Sequence, residues 1–357
     1  MSEVTELTRE LVSIPSHEDE TAAGDAIEEW LRAETDADVT RDEVGNVIAW
    51  KGDGERSLAL VGHHDVVPPT DAQVEDGEYV VYEEDGRLYG RGAADMKGAV
   101  AAAMIAFRDA DPDCELAFAS FVDEEVGGRG ARHAAESGFV PDCAIVAEGS
   151  TNYSKEGVTD VAIAHRGRRG SRVVARGSAA HASEPEAAEN AIYRACDAVD
   201  IVRELERPST EVFGREFGGS LAVTTIDAGD RGNVIPDECS FTIDERTVPG
   251  ERAALERVED VPGVEWIVEG DAPPMRCDDS DFANLVLEAA TEVQDGDPEH
   301  VLKPHATDAG RLAEAGVSCL VCGASEPGEA HTEDESVGID VLERCERIYR
   351  ETADRFV

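Results

Sequence analysis

Residues 58–68 read Leu-Ala-Leu-Val-Gly-His-His-Asp-Val-Val-Pro. An unbroken apolar run of four, closed by glycine, reads as a buried strand. The polar cluster that follows it falls where open parallel sheets place their ligands, beyond the carboxyl end of a strand. The same order recurs along the chain. Apolar strand-like runs lie at 47–50, 116–122, 143–147 and 317–321. Between and around them lie helical patterns. Val4, Leu7, Leu11 and Ile14 share one helix face, as do Ala23, Ile27, Trp30 and Leu31. Further helices are expected at about 98–107, 130–136 and 282–293, and from about 341. Strands alternating with helices predict an α/β domain, a mostly parallel sheet with helices on both faces.

The rhythm changes near residue 160. Short strands are expected at 161–164, 171–175, 221–226, 240–244 and 264–268, with helices at about 187–205 and 252–258. Two helices on a small sheet form an α+β, ferredoxin-like unit. The expected organisation is therefore a domain of residues 1–160 and 270–357, interrupted by a unit at 161–269.

Composition narrows the function. Of 357 residues, 79 are Asp or Glu and 32 are Lys or Arg, a formal charge of -47. The acid is spread along the chain, so it is a surface property and not an acidic tail. Such a surface repels itself in dilute buffer, but at molar salt the Debye length is about 3 Å and the repulsion is screened. A salt-rich cytoplasm is the expected setting. Nucleic acid is not an expected partner: binding requires a basic stripe, and Arg166, Arg168, Arg169 and Arg172 form only a short cluster in a strand pattern. No apolar run reaches the length of a membrane span, and the acidic N-terminal segment does not read as a signal peptide. The eight cysteines lie mostly in apolar segments and read as buried thiols. Cys319 and Cys322 are three apart on an expected strand, so they face opposite ways and cannot share a metal.

Five places carry ligand chemistry. In the opening stretch, His63 and Asp65 are two apart, and an imidazole on a metal usually has its other nitrogen held by a carboxylate. His-x-acid pairs also arise by chance in so acidic a chain, as at His17 with Asp19. Asp95, in Arg-Gly-Ala-Ala-Asp-Met-Lys-Gly (91–98), precedes a helix, where its ordinary task is an N-cap. Asp123-Glu124-Glu125 follows the 116–122 strand; one carboxylate of such a pair can bind metal while its neighbour stays free as a base. Glu148 ends the 143–147 strand, and His331 lies beyond the 317–321 strand. Together they offer two imidazoles and several carboxylates, a donor set suited to two zinc ions bridged by an acid.

These motifs, in this order over nearly the whole chain, resemble the zinc-dependent amidohydrolases that include succinyl-diaminopimelate desuccinylase, acetylornithine deacetylase, aminoacylases and glutamate carboxypeptidases. The resemblance implies that His63, Glu148 and Asp95 hold one Zn2+ and that Glu125, His331 and Asp95 hold the other, with Co2+ a possible substitute. It makes Asp95 the bridge, Asp65 the partner of His63, and Glu124 the base that takes a proton from water and passes it to the leaving amine. It also implies that the inserted unit is a lid and the site of homodimerisation. There His181, in Gly-Ser-Ala-Ala-His-Ala-Ser-Glu-Pro (177–185), reaches a partner subunit's oxyanion. Asn233 and Arg246 bind substrate; Arg246 could equally form an ion pair with Asp244. Within the resemblance the motifs lean to N-succinyl-diaminopimelate as substrate. Acetylornithine or a related ornithine- or lysine-releasing reaction is the alternative, followed by dipeptidase or carboxypeptidase activity. A non-catalytic binding protein on the same scaffold would have lost the base or a ligand. Two departures stand out. Glu148-Gly149-Ser150 replaces the Glu-Pro-Ser or Glu-Pro-Thr of many relatives. Lys303-Pro304-His305-Ala306-Thr307-Asp308 replaces the desuccinylase Gly-Gly-Thr-Ser-Asp, leaving His305 without a role.

Overall fold

The computed structural model describes residues 2–357. The described residues divide into two compact units, residues 2–165 with 275–357, and residues 166–274. In chain order the first unit opens with α1 (Glu3–Ser13), α2 (Thr21–Glu34), β1 (Asp38–Arg41), β2 (Val47–Lys51) and β3 (Ser57–His63). It continues with α3 (Gly98–Asp109), β4 (Glu115–Phe121), α4 (Arg129–Glu136), β5 (Cys143–Val146) and β6 (Val161–His165). The second unit holds β7 (Gly167–Arg176), α5 (Ala191–Glu204), β8 (Ser220–Ala228), β9 (Glu238–Thr247) and β10 (Val264–Ala272). The chain then returns with β11 (Met275–Arg276), α6 (Ser280–Glu292), β12 (His300–Lys303), α7 (Ala309–Glu314), β13 (Ser318–Val321) and α8 (Ile339–Arg355).

The large sheet has nine strands in the order β1-β2-β4-β3-β5-β13-β6-β11, with β12 also paired to β6. Its centre, β4-β3-β5-β13, is parallel. Antiparallel pairs flank that centre on both sides. All four central strands are almost wholly buried, because helices cover both faces. Alternation sends Ala59, Val61, Ala119 and Phe121 toward α4 and α7, where Ala131, Ala134 and Leu312 meet them. On the opposite face Phe118 meets Phe107 of α3, with ring centroids 6.2 Å apart. Helix α3 is buried all round from Gly98 to Phe107, which explains its run of alanines: small side chains let it lie close between the sheet and its neighbouring helices.

The second unit is a four-stranded antiparallel sheet, β8-β9-β7-β10, with α5 packed on it. This is the ferredoxin-like strand order. Its boundary differs from the one expected at 161. Residues 161–165 are fully buried and pair with β12, β13 and β11, so they belong to the large sheet. The second expected helix is instead a 3-10 segment, Leu255–Asp260. Leu255 and Val258, three apart, line up on one face in either helix type, so their burial does not distinguish the two. Two of the four clustered arginines meet acids on β9: Arg168 bonds Asp244 at 2.8 Å and Arg169 bonds buried Glu245 at 2.5 Å. All eight cysteines are free. Among the described residues no helix is long and apolar enough to cross a membrane.

Candidate metal centre

Each of the five sequence segments ends at the same place. His63 is the last residue of β3, and Glu124-Glu125 turn away just past β4. That turn is set by Asp123, which takes a left-handed φ of 57°. Glu148 lies just past β5, and His331 sits in the loop after β13. Asp95 arrives from the side in the turn Ala93–Lys97, where Asp95 and Met96 leave helical geometry and the Asp95–Met96 peptide is cis.

The distances draw two groups around one carboxylate. His63 Nε2 lies 3.2 Å from Asp95 Oδ1 and 3.5 Å from Glu148 Oε1. His331 Nε2 lies 3.1 Å from Asp95 Oδ2 and 3.0 Å from Glu125 Oε1. Asp95 thus gives one oxygen to each side. It does not act as a cap: the residue before α3 is Lys97, and no side chain caps that helix. Ligand atoms of His63, Glu124 and Glu148 lie within 4.8 Å of one another, as do those of Asp95, Glu125 and His331. Geometry alone therefore admits Glu124 as a ligand beside His63. The division of labour between Glu124 as base and Glu125 as ligand rests on the resemblance.

Asp65 does more than the sequence suggested. Strand β3 ends at His63, so the two residues are not related by strand alternation. The Nδ1 of His63 faces the Asp65 backbone carbonyl at 3.0 Å, with carboxylate Oδ1 at 3.3 Å. The same carboxylate accepts the N–H of Glu124 at 3.1 Å and of Glu125 at 3.0 Å. Two further residues were not assigned a role from sequence. Buried Glu335 accepts the N–H groups of Gly92, Ala94 and Asp95 on one oxygen, at 2.9, 3.1 and 3.1 Å, and pairs with buried Arg91. It holds the turn that presents Asp95. Lys303, at the end of β12, donates to the Gly149 carbonyl at 2.8 Å and lies 3.4 Å from Glu148 Oε2. Gly149 has its own reason: a Cβ there would come within 2.6 Å of both the Cβ and the carbonyl oxygen of Ser325.

Electrostatics tests whether metal ions fit. Four carboxylates, Asp95, Glu124, Glu125 and Glu148, converge on a cleft of about 310 Å³ that also contains His331, Lys303 and His305. The Lys303 ammonium offsets only part of this negative charge, and the two imidazoles respond to the rest. Burial opposes protonation of His63, yet hydrogen bonds to Asp65, Asp95 and Glu148 raise its pKa well above 6.5. Asp95 and Glu125 raise that of His331 to about 10. For Glu124 burial dominates and lifts the pKa well above the carboxylate range; the His63 charge opposes this, and Asp308, Glu148 and Asp95 add to it. Divalent ions would supply the missing positive charge, and mixed imidazole and carboxylate donors suit zinc or cobalt. The donor set fits.

The other sequence candidates lie in the second unit. His181, exposed, shares a 2.7 Å hydrogen bond between its Nδ1 and Ser183 Oγ. The Asn233 carbonyl accepts from Ala182 N–H at 3.0 Å. Arg246 is paired with Asp244, its Nε 2.7 Å from Oδ1, so the structural role foreseen for it is realised in this state.

An acid-rich centre of this kind, at the carboxyl ends of a parallel sheet, defines a metal-dependent hydrolase. Residues 59–355 match peptidase family M20/M25/M40, and the chain belongs to that family. It is 30% identical over 345 residues to an acetylornithine deacetylase of Myxococcus xanthus, spanning 90% of this chain and 86% of that protein. It is 34% identical over 226 residues to a succinyl-diaminopimelate desuccinylase of Acidiphilium cryptum (strain JF-5), spanning 61% of this chain and 57% of that protein. In fold it is similar to the crystal structure of aminopeptidase PepT from Bacillus cereus, at a TM-score of 0.80 and 17% identity over 99% of this chain and 97% of that one. The protein is a metal-dependent amidohydrolase.

Proposed function

We propose that this enzyme hydrolyses the amide bond of an N-acyl amino acid, with N-succinyl-diaminopimelate the leading substrate. The observation that carries the chemistry is the pair of imidazole and carboxylate groups joined through Asp95, with Glu124 beside them. In this reading His63, Glu148 and Asp95 hold one Zn2+, and Glu125, His331 and Asp95 the other. Bound there, two such ions act as Lewis acids that acidify water and polarise the amide carbonyl.

The chain's own residues then divide the work. Glu124 takes a proton from water as the oxygen adds to the amide carbon. When the C–N bond breaks, it gives that proton to the leaving nitrogen, releasing an amine and a carboxylic acid, which loses the second water proton to become a carboxylate. Its position beside His63 and Glu148, with its backbone N–H held by Asp65, supports this role. Asp65 fixes His63 and the Glu124 backbone together. On the resemblance, the inserted unit carries a homodimer contact, His181 reaches the partner's oxyanion, and Arg246 with Asn233 receives the substrate carboxylate. Arg246 must then exchange Asp244 for that carboxylate, a pairing that suits its guanidinium.

Acetylornithine is the second reading, favoured by the relative from Myxococcus xanthus, whose similarity spans 90% of this chain. The test is amine release from N-succinyl-diaminopimelate and N-acetylornithine side by side, in molar KCl with Zn2+. Preference for the succinyl compound supports the leading reading. Preference for the acetyl compound replaces it, and chelator-sensitive activity on dipeptides alone removes both.

A further inference from the structure

The two halves of the centre differ in the cation beside them. On the Glu148 side stands a buried ammonium, Lys303, 5% exposed. Glu148 is split between two partners: Oε1 faces His63 at 3.5 Å, and Oε2 faces Lys303 at 3.4 Å. The ammonium is anchored by the Gly149 carbonyl at 2.8 Å, so it cannot swing away without leaving that carbonyl unmet. On the other side, Glu125 and His331 pair with one another, and His331 also pairs with Asp95. Among the described residues no lysine or arginine forms an ion pair with Glu125. Lys303 opens the 303–308 segment, where this chain departs from the desuccinylase sequence.

We propose that Lys303 makes the two metal positions unequal, holding Glu148 by its outer oxygen and cancelling its charge so that the His63/Glu148 position binds its ion more weakly than the Glu125/His331 position. The inference rests on the dinuclear reading. Its physical basis is that a fixed positive charge beside a ligand repels a divalent ion and withdraws one of that ligand's oxygens. Lys303 is a positioning residue: it acts on the ion through Glu148.

The test is a metal titration, independent of turnover. Chelator-stripped protein in molar KCl is titrated with Zn2+ against a chromophoric competitor, and with Co2+ followed by its visible absorption. The wild type is expected to take up two ions in steps at least about tenfold apart. K303M and K303Q should each tighten the weaker step by at least about tenfold and leave the tighter one unchanged. If K303M fails to fold, K303Q, which keeps a donor near the Gly149 carbonyl, carries the comparison. Two equal steps in the wild type overturn the proposal, as does weaker binding in K303M restored by K303Q, which marks a purely holding role. A wild type that takes up fewer than two ions overturns the dinuclear reading and this inference with it. Two unequal steps left unchanged by both variants overturn the inference alone.

Discussion

The Asp65 carboxylate accepts the backbone N–H of Glu124 at 3.1 Å. The same side chain lies against His63, so one carboxylate ties the end of β3 to the turn after β4. Burial opposes its charge, but the hydrogen bond to His63 leads a set of contacts that holds its pKa below the usual carboxylate value. Asp65→Asn keeps an acceptor for one N–H and loses the other. It is expected to weaken metal binding about 10–100-fold, the usual cost of removing a support behind a ligand. Turnover at saturating metal should also fall, because Glu124 is no longer fixed. Metal titration and steady-state kinetics on one preparation check both.

Glu124→Ala separates base from ligand. If Glu124 is the base, the variant keeps its metal content and loses about 10²–10⁴ in turnover. Geometry also admits Glu124 as a neighbour of His63 and Glu148. A variant that loses one metal ion per chain would make it a ligand instead.

Gly149 is fixed by close approach. A methyl group there meets Ser325 at 2.6 Å, including its backbone, which cannot rotate aside. Gly149→Ala should cost about 1–3 kcal/mol of stability, as overpacked sites do. Denaturant melts in molar KCl measure it, and an unchanged midpoint would show that the Ser325 loop yields freely.

Glu20 gives a pH dependence outside the ligand set. Burial first, then the charges of Asp123 and Asp65, raise its pKa to about 7. A carboxylate raised in the folded state binds its proton more tightly there than in the unfolded chain. Its contribution is therefore full below about 4.5 and is lost as pH rises through about 7. Glu20→Gln should raise the melting temperature at pH 8 by about 1–3 °C and change it little at pH 4.5. An equal shift at both pH values would assign the effect to packing and not to charge.

The clustering of these acids and imidazoles was legible because each stands at the end of an apolar run or in a short motif. His63 stands two residues beyond the run Leu58–Val61, and Glu148 two beyond Cys143–Val146. The residues that hold those ligands were not. Glu335 meets the Asp95 N–H across 240 residues, and Lys303 meets Glu148 across 155. Neither pairing leaves a local pattern, because hydrogen bonds to a turn can come from any part of the chain that the fold brings near. The edge of the inserted unit was misplaced for a related reason. Residues 161–165 are apolar and β-prone, and only pairing partners far along the chain decide which sheet they join.

The most direct test of a metal-dependent amidohydrolase is reconstitution. Protein stripped by a chelator in molar KCl is given Zn2+ in steps, and amine release from N-succinyl-diaminopimelate and N-acetylornithine is followed against bound metal. Activity should be absent without metal, reappear with it, and reach its maximum at two ions per chain. Full activity in the stripped protein, or none at two bound ions on any N-acyl amino acid or dipeptide, would contradict the assignment.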